Sequence, residues 1–359
     1  MNVSILVLLA GLTGLFDEPP QFEAEQIFPP NPTQTHAPGI AECPDGGLIA
    51  SWYGDRDGQK GGPDDSAIFG ARKAPGARTW SRPFLLADRP GFPDGNTALW
   101  IDARARLWLF WPTIIGSSWE SCLINHKVAP APKGIEPPSW DREGLILLKP
   151  DDFHEEALRL LGDRKLRPPR GALGGPDAQR AKLADPLYQR LGWAIRCKPT
   201  VLPSGRIVLP LYSDTFSIAI MALSDDEGAS WRASEPLLGF GNIQPSVLRR
   251  DDGTLVAYMR AANAPNRIRV SESRDDGESW GPVVASDLPN PGSGIDAIRL
   301  SNGHWLLVFN DDASSRARLA VALSDDEGET WGHVRHLERH AAGRYHYPAV
   351  IQGRDGTIH

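Results

Sequence analysis

A segment of eight residues with an acidic centre, a glycine and a terminal tryptophan occurs three times in the chain. The copies read SDDEGASW, SRDDGESW and SDDEGETW, and they begin at residues 224, 273 and 324. An interval of about 50 residues is typical of repeat architectures, in which each repeat is one supersecondary unit. The repeat therefore predicts a fold built from several similar units that follow one another along the chain.

Each octapeptide is the turn of a longer unit made of strand-like runs. SIAIMAL, RIRVSE and RLAVAL precede the three copies, and SGRIVLPLY, DGTLVAYMR and NGHWLLVFN lie further upstream. Four short antiparallel strands in about 50 residues match the size of one propeller blade. Two looser units precede residue 141, and YHYPAVIQGRDGTIH begins another. We therefore expect an all-β, six-bladed β-propeller whose last blade is incomplete at His359.

Residues 141–192 interrupt this rhythm of strands. DDFHEEALRLLGD and DAQRAKLADPLYQRLG carry apolar residues at helical spacing, on either side of the Pro/Gly-rich RPPRGALGGP. A stretch of this length is short for a domain of its own. We expect a partly helical insertion between blades 2 and 3 of a single propeller domain that spans residues 17–359.

Composition limits the partners and cofactors. The 359 residues carry a net charge of −7, whereas a nucleic-acid partner would call for a basic face. The three cysteines (Cys43, Cys122 and Cys197) cannot all pair within the chain, and their spacing fits no zinc motif. The sequence therefore predicts no nucleic-acid partner, no metal and no cofactor, and it leaves the oligomeric state open.

The first 16 residues, MNVSILVLLAGLTGLF, are mostly apolar. This apolar run is too short to span a bilayer comfortably, and its length suits the central region of a secretory signal peptide. We expect residues 1–16 to be a signal peptide, the protein to be periplasmic or extracellular, and no other part of it to contact a membrane. The alternative is a buried N-terminal strand.

The residues of the octapeptide have the chemistry of a tight turn. Ser224 and Asp226 can form hydrogen bonds with the backbone of the reversal, and Gly228 can adopt a positive φ. Trp231 can then pack over the hairpin. The acidic run lacks the additional ligands of a calcium-binding EF-hand loop. The octapeptides are therefore expected to stabilise the fold and to contact no substrate.

Octapeptides of this form resemble the Asp boxes of sialidase-type propellers, and the resemblance covers nearly the whole chain after residue 30. It implies a central pocket lined by the innermost strands and their loops, with the Asp boxes on the rim. In that family three arginines hold the substrate carboxylate, because planar guanidinium groups match it in bidentate fashion. A tyrosine activated by a glutamate acts as nucleophile, and an aspartate acts as general acid.

Several residues of the chain match this pattern. Arg260, which ends DGTLVAYMR, and Arg316 in RARLAVAL stand where the second and third arginines of the family fall. YHYPAV resembles the segment of the nucleophile, with Tyr345 as the better match and Tyr347 as the second. The resemblance therefore implies a carboxylate-binding pair, Arg260 and Arg316, beside a tyrosine nucleophile.

Other positions depart from the family pattern. THAPGI places His36 where the first arginine is expected, and NIQPSV places Gln244 where the activating glutamate is expected. The general acid should follow LIASWY, where Asp55 and Asp57 are the favoured candidates over Asp64 and Asp65. His36 could itself act as an acid or base, because its ordinary pKa lies near neutrality.

These departures are similar to those of a subgroup known as predicted neuraminidases or BNR-repeat proteins, on the segments THAP, KPT, IQPSVL, LPNPGSGIDAI and YHYPAVIQ. Lys198 of KPT, together with His36, Arg260 and Arg316, favours an anionic ligand. The first hypothesis is a secreted sialidase-like exo-glycoside hydrolase that acts on a terminal acidic sugar of glycans. The alternatives are another carbohydrate-active propeller, either a lyase or a glycosidase for a uronic or neutral sugar, and a non-catalytic glycan-binding propeller.

Overall fold

The computed structural model describes residues 4–9, 21–30, 34–56, 66–150, 153–161 and 176–359. These residues form short antiparallel sheets, three short α-helices and a 3-10 helix (Trp119–Ser121). No helix in this part of the chain is long and apolar enough to span a membrane.

The first half of the chain forms two blades and the helices. The first two strands are β1 (Ser4–Leu9) and β2 (Gln21–Gln26). Blade 1 contains β3 (Thr35–Glu42), β4 (Leu48–Asp55), β5 (Ser66–Lys73) and β6 (Phe84–Ala87). Blade 2 contains β7 (Ala98–Ile101), β8 (Arg106–Ile114), β9 (Cys122–Pro130) and β10 (Arg142–Ile146). The helices are α1 (Phe153–Leu161), α2 (Pro176–Ala184) and α3 (Pro186–Arg190).

The second half forms three blades and a final strand. Blade 3 contains β11 (Trp193–Ile195), β12 (Thr200–Val201), β13 (Ile207–Ser213), β14 (Ile218–Ser224) and β15 (Arg232–Ala233). Blade 4 contains β16 (Asn242–Arg249), β17 (Leu255–Ala261), β18 (Arg267–Ser273) and β19 (Val284–Pro289). Blade 5 contains β20 (Asp296–Arg299), β21 (Trp305–Asn310), β22 (Arg318–Ser324) and β23 (Gly332–Arg339), and β24 (Thr357–Ile358) follows. In each blade the strands pair antiparallel and in chain order, except that β11 and β12 both pair with β13.

The prediction of six blades was wrong, because the structure contains five. β1 and β24, from the two ends of the described chain, pair instead in a three-stranded sheet of order β2-β1-β24, in which Leu8 lies opposite Ile358. β24 has only two residues, and residues 340–350 form no strand. The described residues after β23 contain only one short strand, β24, and the segment YHYPAV belongs to no four-stranded sheet.

The predicted insertion is smaller than expected. Residues 142–146 belong to blade 2 as β10, so the helical part begins only at α1. Phe153 of α1 packs edge-on against Phe216 of blade 3, with 5.3 Å between the ring centroids. The three helices therefore form a small layer on the propeller and not a separate unit.

Buried apolar side chains fill the spaces between neighbouring blades. Trp108 of blade 2 shares a buried cluster with Leu209 of blade 3. Tyr258 of blade 4 meets Trp305 of blade 5 edge-on, with ring centroids 6.3 Å apart. The central strands are covered on both faces by their neighbours, which explains why their sequences are apolar almost throughout.

The octapeptides form the turns that their composition predicts. Ser224 Oγ donates a hydrogen bond to Asp226 Oδ1 at 2.8 Å and accepts one from the Gly228 amide at 2.8 Å. Hydrogen bonds from the side chain and backbone of Ser230 are the main reason that the pKa of Asp226 falls to about 2. Gly228 has a φ of 77°, which glycine adopts without steric cost. The other two copies repeat these contacts.

The octapeptides lie at one edge of the propeller. In blade 4 the octapeptide follows β18, whose last residue, Ser273, pairs with Leu255 at the start of β17. Arg260 lies near the other end of β17. In blade 5 Ser324 likewise pairs with Trp305 at the start of β21. Residues at the ends of β17 and β21 therefore lie at the opposite edge of the ring.

Candidate functional site

The edge opposite the octapeptides brings together predicted residues from three blades. Gln244 lies near the start of β16, and Arg260 lies near the end of β17, its hydrogen-bonded neighbour. Arg316 lies in the connection between β21 and β22. His36 lies at the start of β3, and Tyr347 follows β23. These five residues form the cluster described below.

An unusual backbone conformation recurs around this cluster. Ala37, Gln244 and Tyr347 have φ values of 50°, 55° and 52°, and each precedes a proline. A residue before proline prefers extended backbone, and a left-handed conformation there costs about 1–3 kcal/mol. The strand pairing shifts register at two of these positions, between His36 and Gly39 and between Ile243 and Ser246. The surrounding structure therefore holds Gln244 and Tyr347 in place against strain.

Tyr347 lies at the centre of the cluster. Arg260 Nη1 donates a hydrogen bond to the Tyr347 hydroxyl at 2.9 Å. The guanidinium carbons of Arg196, Arg260 and Arg316 lie 5.4, 5.9 and 5.9 Å from the centre of the Tyr347 ring. Within the described part of the chain, no carboxylate oxygen lies within 4.0 Å of these three guanidinium groups. The site therefore holds three positive charges without a paired negative charge.

Arg196 is a member of the cluster that the sequence analysis missed. It follows β11 directly, and only 2% of its surface is exposed. It donates hydrogen bonds to the carbonyl oxygens of Pro38 at 3.1 Å, Pro348 at 2.6 Å and Tyr347. Arg196 thus binds the strained backbone of two segments while it contributes charge beneath the Tyr347 ring. An arginine directly after an apolar strand, next to KPT, was the signal available in the sequence.

Arg316 is anchored at one side of the site. Its Nη2 donates to the carbonyl oxygen of Gly292 at 2.6 Å, and its Nη1 lies 2.5 Å from His346 Nδ1. Burial, together with the charge of Arg260, lowers the pKa of Arg316. His346, which was also missed, lies beside the predicted Tyr347 and orients Arg316.

The two histidines of the site are neutral at physiological pH. The His36 ring packs edge-on against the Tyr347 ring at 4.5 Å, and it lies 5.7 Å from the His346 ring. Burial, reinforced by Arg196, lowers the pKa of His36 to about 3. Burial and Arg316 lower the pKa of His346 to about 4. At neutral pH His36 therefore offers a hydrogen-bonding ring and not a third cationic clamp.

Gln244 links the arginine cluster to blade 3. Its Oε1 accepts a hydrogen bond from Arg260 Nη1 at 3.3 Å, and its Nε2 donates to the Tyr212 hydroxyl at 3.3 Å. Asn96 Nδ2 donates to the same hydroxyl at 2.9 Å. Asp214, two residues after Tyr212, is a further acid at this edge. Burial raises the pKa of Asp214, and the charge of Arg260 opposes that rise.

Three predicted residues have their polar partners outside the cluster around Tyr347. The Tyr345 hydroxyl donates to Glu338 at 3.3 Å, so it contacts β23 and not the arginines. Lys198 pairs with the buried Asp296 at 2.8 Å. Asp55 ends β4 and accepts a hydrogen bond from the Gln34 amide at 3.0 Å. The other candidate acids lie outside the described residues: Asp57, Asp64 and Asp65.

A cavity of about 600 Å³ opens beside the cluster. It lies between blade 5 and blade 1, next to the three-stranded sheet. His36, Tyr345, His346 and Tyr347 line one part of it, and apolar side chains such as Leu319 line another. This volume is in the range of sites for small ligands. Within the described ranges, no group of three or more His, Cys, Asp or Glu residues could hold a metal ion.

The fold and the site together define a β-propeller of the sialidase type, with a tyrosine surrounded by arginines at one edge of the ring. A family model described as a BNR repeat-like domain matches residues 179–359, which is half of the chain. The chain therefore belongs to the BNR repeat-like domain family, within the sialidase propeller superfamily.

Known proteins with similar sequences or folds agree with this membership. A sialidase of Micromonospora viridifaciens is 32% identical over 123 residues, which cover 32% of this chain and 19% of the relative. Among solved structures, a leech intramolecular trans-sialidase with bound 2,7-anhydro-Neu5Ac has a TM-score of 0.67 at 14% identity, covering 93% of this chain and 66% of that one. The intramolecular trans-sialidase of Ruminococcus gnavus has a TM-score of 0.66 at 13% identity, covering 90% and 89%. At these identities the structural likeness shows the fold.

Proposed function

We propose that the protein is a sialidase-like exo-glycoside hydrolase that binds a terminal acidic sugar at Tyr347. One observation carries the proposal. Arg196, Arg260 and Arg316 surround the Tyr347 ring, and no described carboxylate pairs with them. Unpaired buried charge is costly, and an anionic ligand would compensate it. The sialidase relative and the trans-sialidase folds support the same class of substrate.

Arg260 and Arg316 are the residues proposed to hold the carboxylate of the sugar. Arg260 has no ion pair among the described residues, and its buried Nε has no hydrogen-bond partner there, so the guanidinium group retains unused donor capacity. Arg196 donates to three backbone carbonyl oxygens, and its role in the proposal is therefore to add charge and to hold Tyr347. The proposal thus assigns binding to two arginines and support to the third.

Tyr347 is proposed as the nucleophile in place of Tyr345. Only the Tyr347 hydroxyl contacts Arg260, whereas the Tyr345 hydroxyl contacts Glu338. A phenol approaches a carboxylate-bearing anomeric carbon without the repulsion that a second carboxylate would cause. As the Tyr347 oxygen bonds to the anomeric carbon, the bond to the leaving oxygen would break and the phenolic proton would pass to a water molecule. Asp55 at the end of β4, or Asp57 beyond it, would protonate the leaving oxygen. A second water molecule would then attack the anomeric carbon, and its proton would return to the Tyr347 oxygen as the sugar is released.

A second function, a glycan-binding propeller without turnover, is favoured by one specific observation. Gln244 stands where the activating glutamate would be, and an amide cannot accept the phenolic proton. Among the described residues, no carboxylate forms a hydrogen bond with the Tyr347 hydroxyl. Binding of the sugar would then rest on the same arginines, with no chemical step.

Tyr345 and Tyr347 lie two positions apart, so their phenylalanine variants provide a matched test of the nucleophile. The assay measures release of 4-methylumbelliferone from its N-acetylneuraminide and from its glucuronide. Release of fluorophore from the sialoside by the native protein and by Tyr345→Phe, but not by Tyr347→Phe, would support the hydrolase. Release from the glucuronide alone would move the substrate to uronic sugars. Binding of N-acetylneuraminic acid without any release would favour the binding function, and neither binding nor release would refute both.

A further inference from the structure

The side chain of Tyr212 is buried at the edge of the candidate site, and its hydroxyl group contacts residues from the two sides of blade 3. It lies on β13, and 2% of its surface is exposed. Asn96 of the connection before β7 and Gln244 of β16 both place an amide nitrogen next to the Tyr212 oxygen, at 2.9 and 3.3 Å. Neither the repeat nor the resemblance in the sequence points to this residue.

The orientation of Gln244 determines what the Tyr212 oxygen can do. Arg260 is a hydrogen-bond donor only, so the amide oxygen of Gln244 must face Arg260. The amide nitrogen of Gln244 therefore faces Tyr212, and this nitrogen can only donate. The Asn96 nitrogen donates to the same oxygen. Tyr212 thus accepts two hydrogen bonds, one from each neighbouring blade.

The proton of the Tyr212 hydroxyl is not used by these contacts. A phenol has one O–H donor besides its acceptor positions, and a buried donor without an acceptor costs free energy. Within the part of the chain that the structure describes, no residue accepts a hydrogen bond from Tyr212. Burial raises the pKa of Tyr212 well above its ordinary value, so the hydroxyl keeps its proton at neutral pH.

We propose that Tyr212 donates its hydroxyl proton in a hydrogen bond to an oxygen atom of the bound sugar. This inference rests on the proposed function, because it adds a binding residue to the same site. Gln244 makes the donor available: a glutamate there would be an acceptor for both Arg260 and Tyr212, and it would bind the proton within the protein. The departure of Gln244 from the family pattern thus assigns the Tyr212 hydroxyl to the ligand.

A double-mutant cycle tests this assignment. The affinity of N-acetylneuraminic acid, and separately of glucuronic acid, is measured by calorimetric titration on four proteins: native, Tyr212→Phe, Gln244→Glu and the double variant. In the native background we expect Tyr212→Phe to weaken binding about three- to tenfold, the range for one hydrogen bond. In the Gln244→Glu background the same substitution should change affinity less than about twofold, because the glutamate already binds the proton.

Tyr258→Phe is the matched control. Tyr258 is equally buried, but its hydroxyl donates to the Gly328 carbonyl oxygen of an octapeptide turn at the other edge. We expect this variant to bind the sugar like the native protein. If Tyr212→Phe does not fold, the affinities of Gln244→Glu and Gln244→Met are compared in its place. Only the glutamate would accept the Tyr212 proton, so Gln244→Glu should bind the sugar more weakly than Gln244→Met.

The outcomes separate this inference from the proposed function. Native protein that binds neither acidic sugar would overturn the proposed function, and the inference with it. Native protein that binds one of them, with an unchanged affinity in Tyr212→Phe, would overturn the inference alone. An equal loss in both backgrounds would also overturn it, because such a loss reports a structural role of Tyr212. In the replacement comparison, equal affinities of Gln244→Glu and Gln244→Met would also overturn the inference.

Discussion

Gly294 lies where the two strained residues of the site approach each other, and its substitution by alanine should misplace both of them. A Cβ atom on residue 294 would lie 2.8 Å from Tyr347 Cδ1 and 3.1 Å from Gln244 Oε1. Ordinary contacts of a carbon atom are about 3.5–4.0 Å, so the ring and the amide would have to move by several tenths of an ångström. Both side chains extend from left-handed backbone followed by proline, so little of that shift can come from the backbone.

The size of the effect follows from these distances. Overpacking of this kind costs about 1–3 kcal/mol in the free energy of unfolding. A displacement of about 1 Å in a reacting group can reduce a rate about 100-fold. We therefore expect Gly294→Ala to lose most sugar binding or turnover while it remains folded. Urea unfolding measures the free energy of unfolding. Release of 4-methylumbelliferone from its N-acetylneuraminide measures turnover, and calorimetric titration with N-acetylneuraminic acid measures binding.

Gly332→Ala is the control for this prediction. Apart from its two chain neighbours, no described residue has an atom within 4 Å of the position of its added Cβ, and Gly332 lies at the exposed start of β23. This variant should retain native stability and native affinity. Gly294→Ala with the affinity and stability of Gly332→Ala would refute the close approach on which the argument depends.

Three further predictions concern pH and packing. The pKa of Asp226 is lowered to about 2, so its contribution to stability is present above pH 4 and is lost as the pH falls toward 2. Asp226→Asn should therefore reduce the difference in melting temperature between pH 4 and pH 2, and an unchanged difference would contradict this. The pKa of His36 is lowered to about 3, so the unfolded chain binds its proton first and stability falls as the pH drops from about 6.5 to 3. His36→Gln should flatten that part of the stability curve; an identical curve would count against burial as the cause. Phe216 is fully buried against Phe153 of α1, and Phe216→Ala should lower the free energy of unfolding by about 3–5 kcal/mol in urea, whereas a loss below 1 kcal/mol would show that the helices pack loosely.

The repeating part of the fold could be predicted because the sequence pattern of each unit lies within one short segment of the chain. Strand, turn and octapeptide recur within about 50 residues, and their contacts depend only on neighbouring residues. The number of blades could not be predicted in this way. The number of blades depends on whether β1 and β24, from the two ends of the described chain, pair with each other. A pattern within a short segment does not predict such a long-range pairing. The sequence therefore predicted the unit correctly and the count incorrectly.

The site was predictable in part for a related reason. Arg260 and Arg316 stand at fixed offsets from a turn or an octapeptide, and both reach the Tyr347 ring. Tyr347, and not Tyr345, lies among the arginines, and its backbone there is left-handed before Pro348. The regular alternation of a strand does not predict such a conformation. Arg196 was missed because its partners are backbone carbonyl oxygens far away in the sequence.

The separation of the octapeptides from the site gives the ring two electrically different faces. Acids such as Asp225 and Glu278 pair with arginines at the octapeptide edge. The central aspartates of the turns, Asp226, Asp275 and Asp326, have lowered pKa values and form no ion pair among the described residues, so they place three unpaired negative charges at that edge. The opposite edge holds the three arginines, and no carboxylate of the described residues pairs with them. If the ligand is the acidic sugar proposed above, a field with this polarity would repel it from one face and attract it to the other, and salt would weaken both effects. Turns at the edge opposite the candidate site would thus help to select the direction from which a ligand arrives.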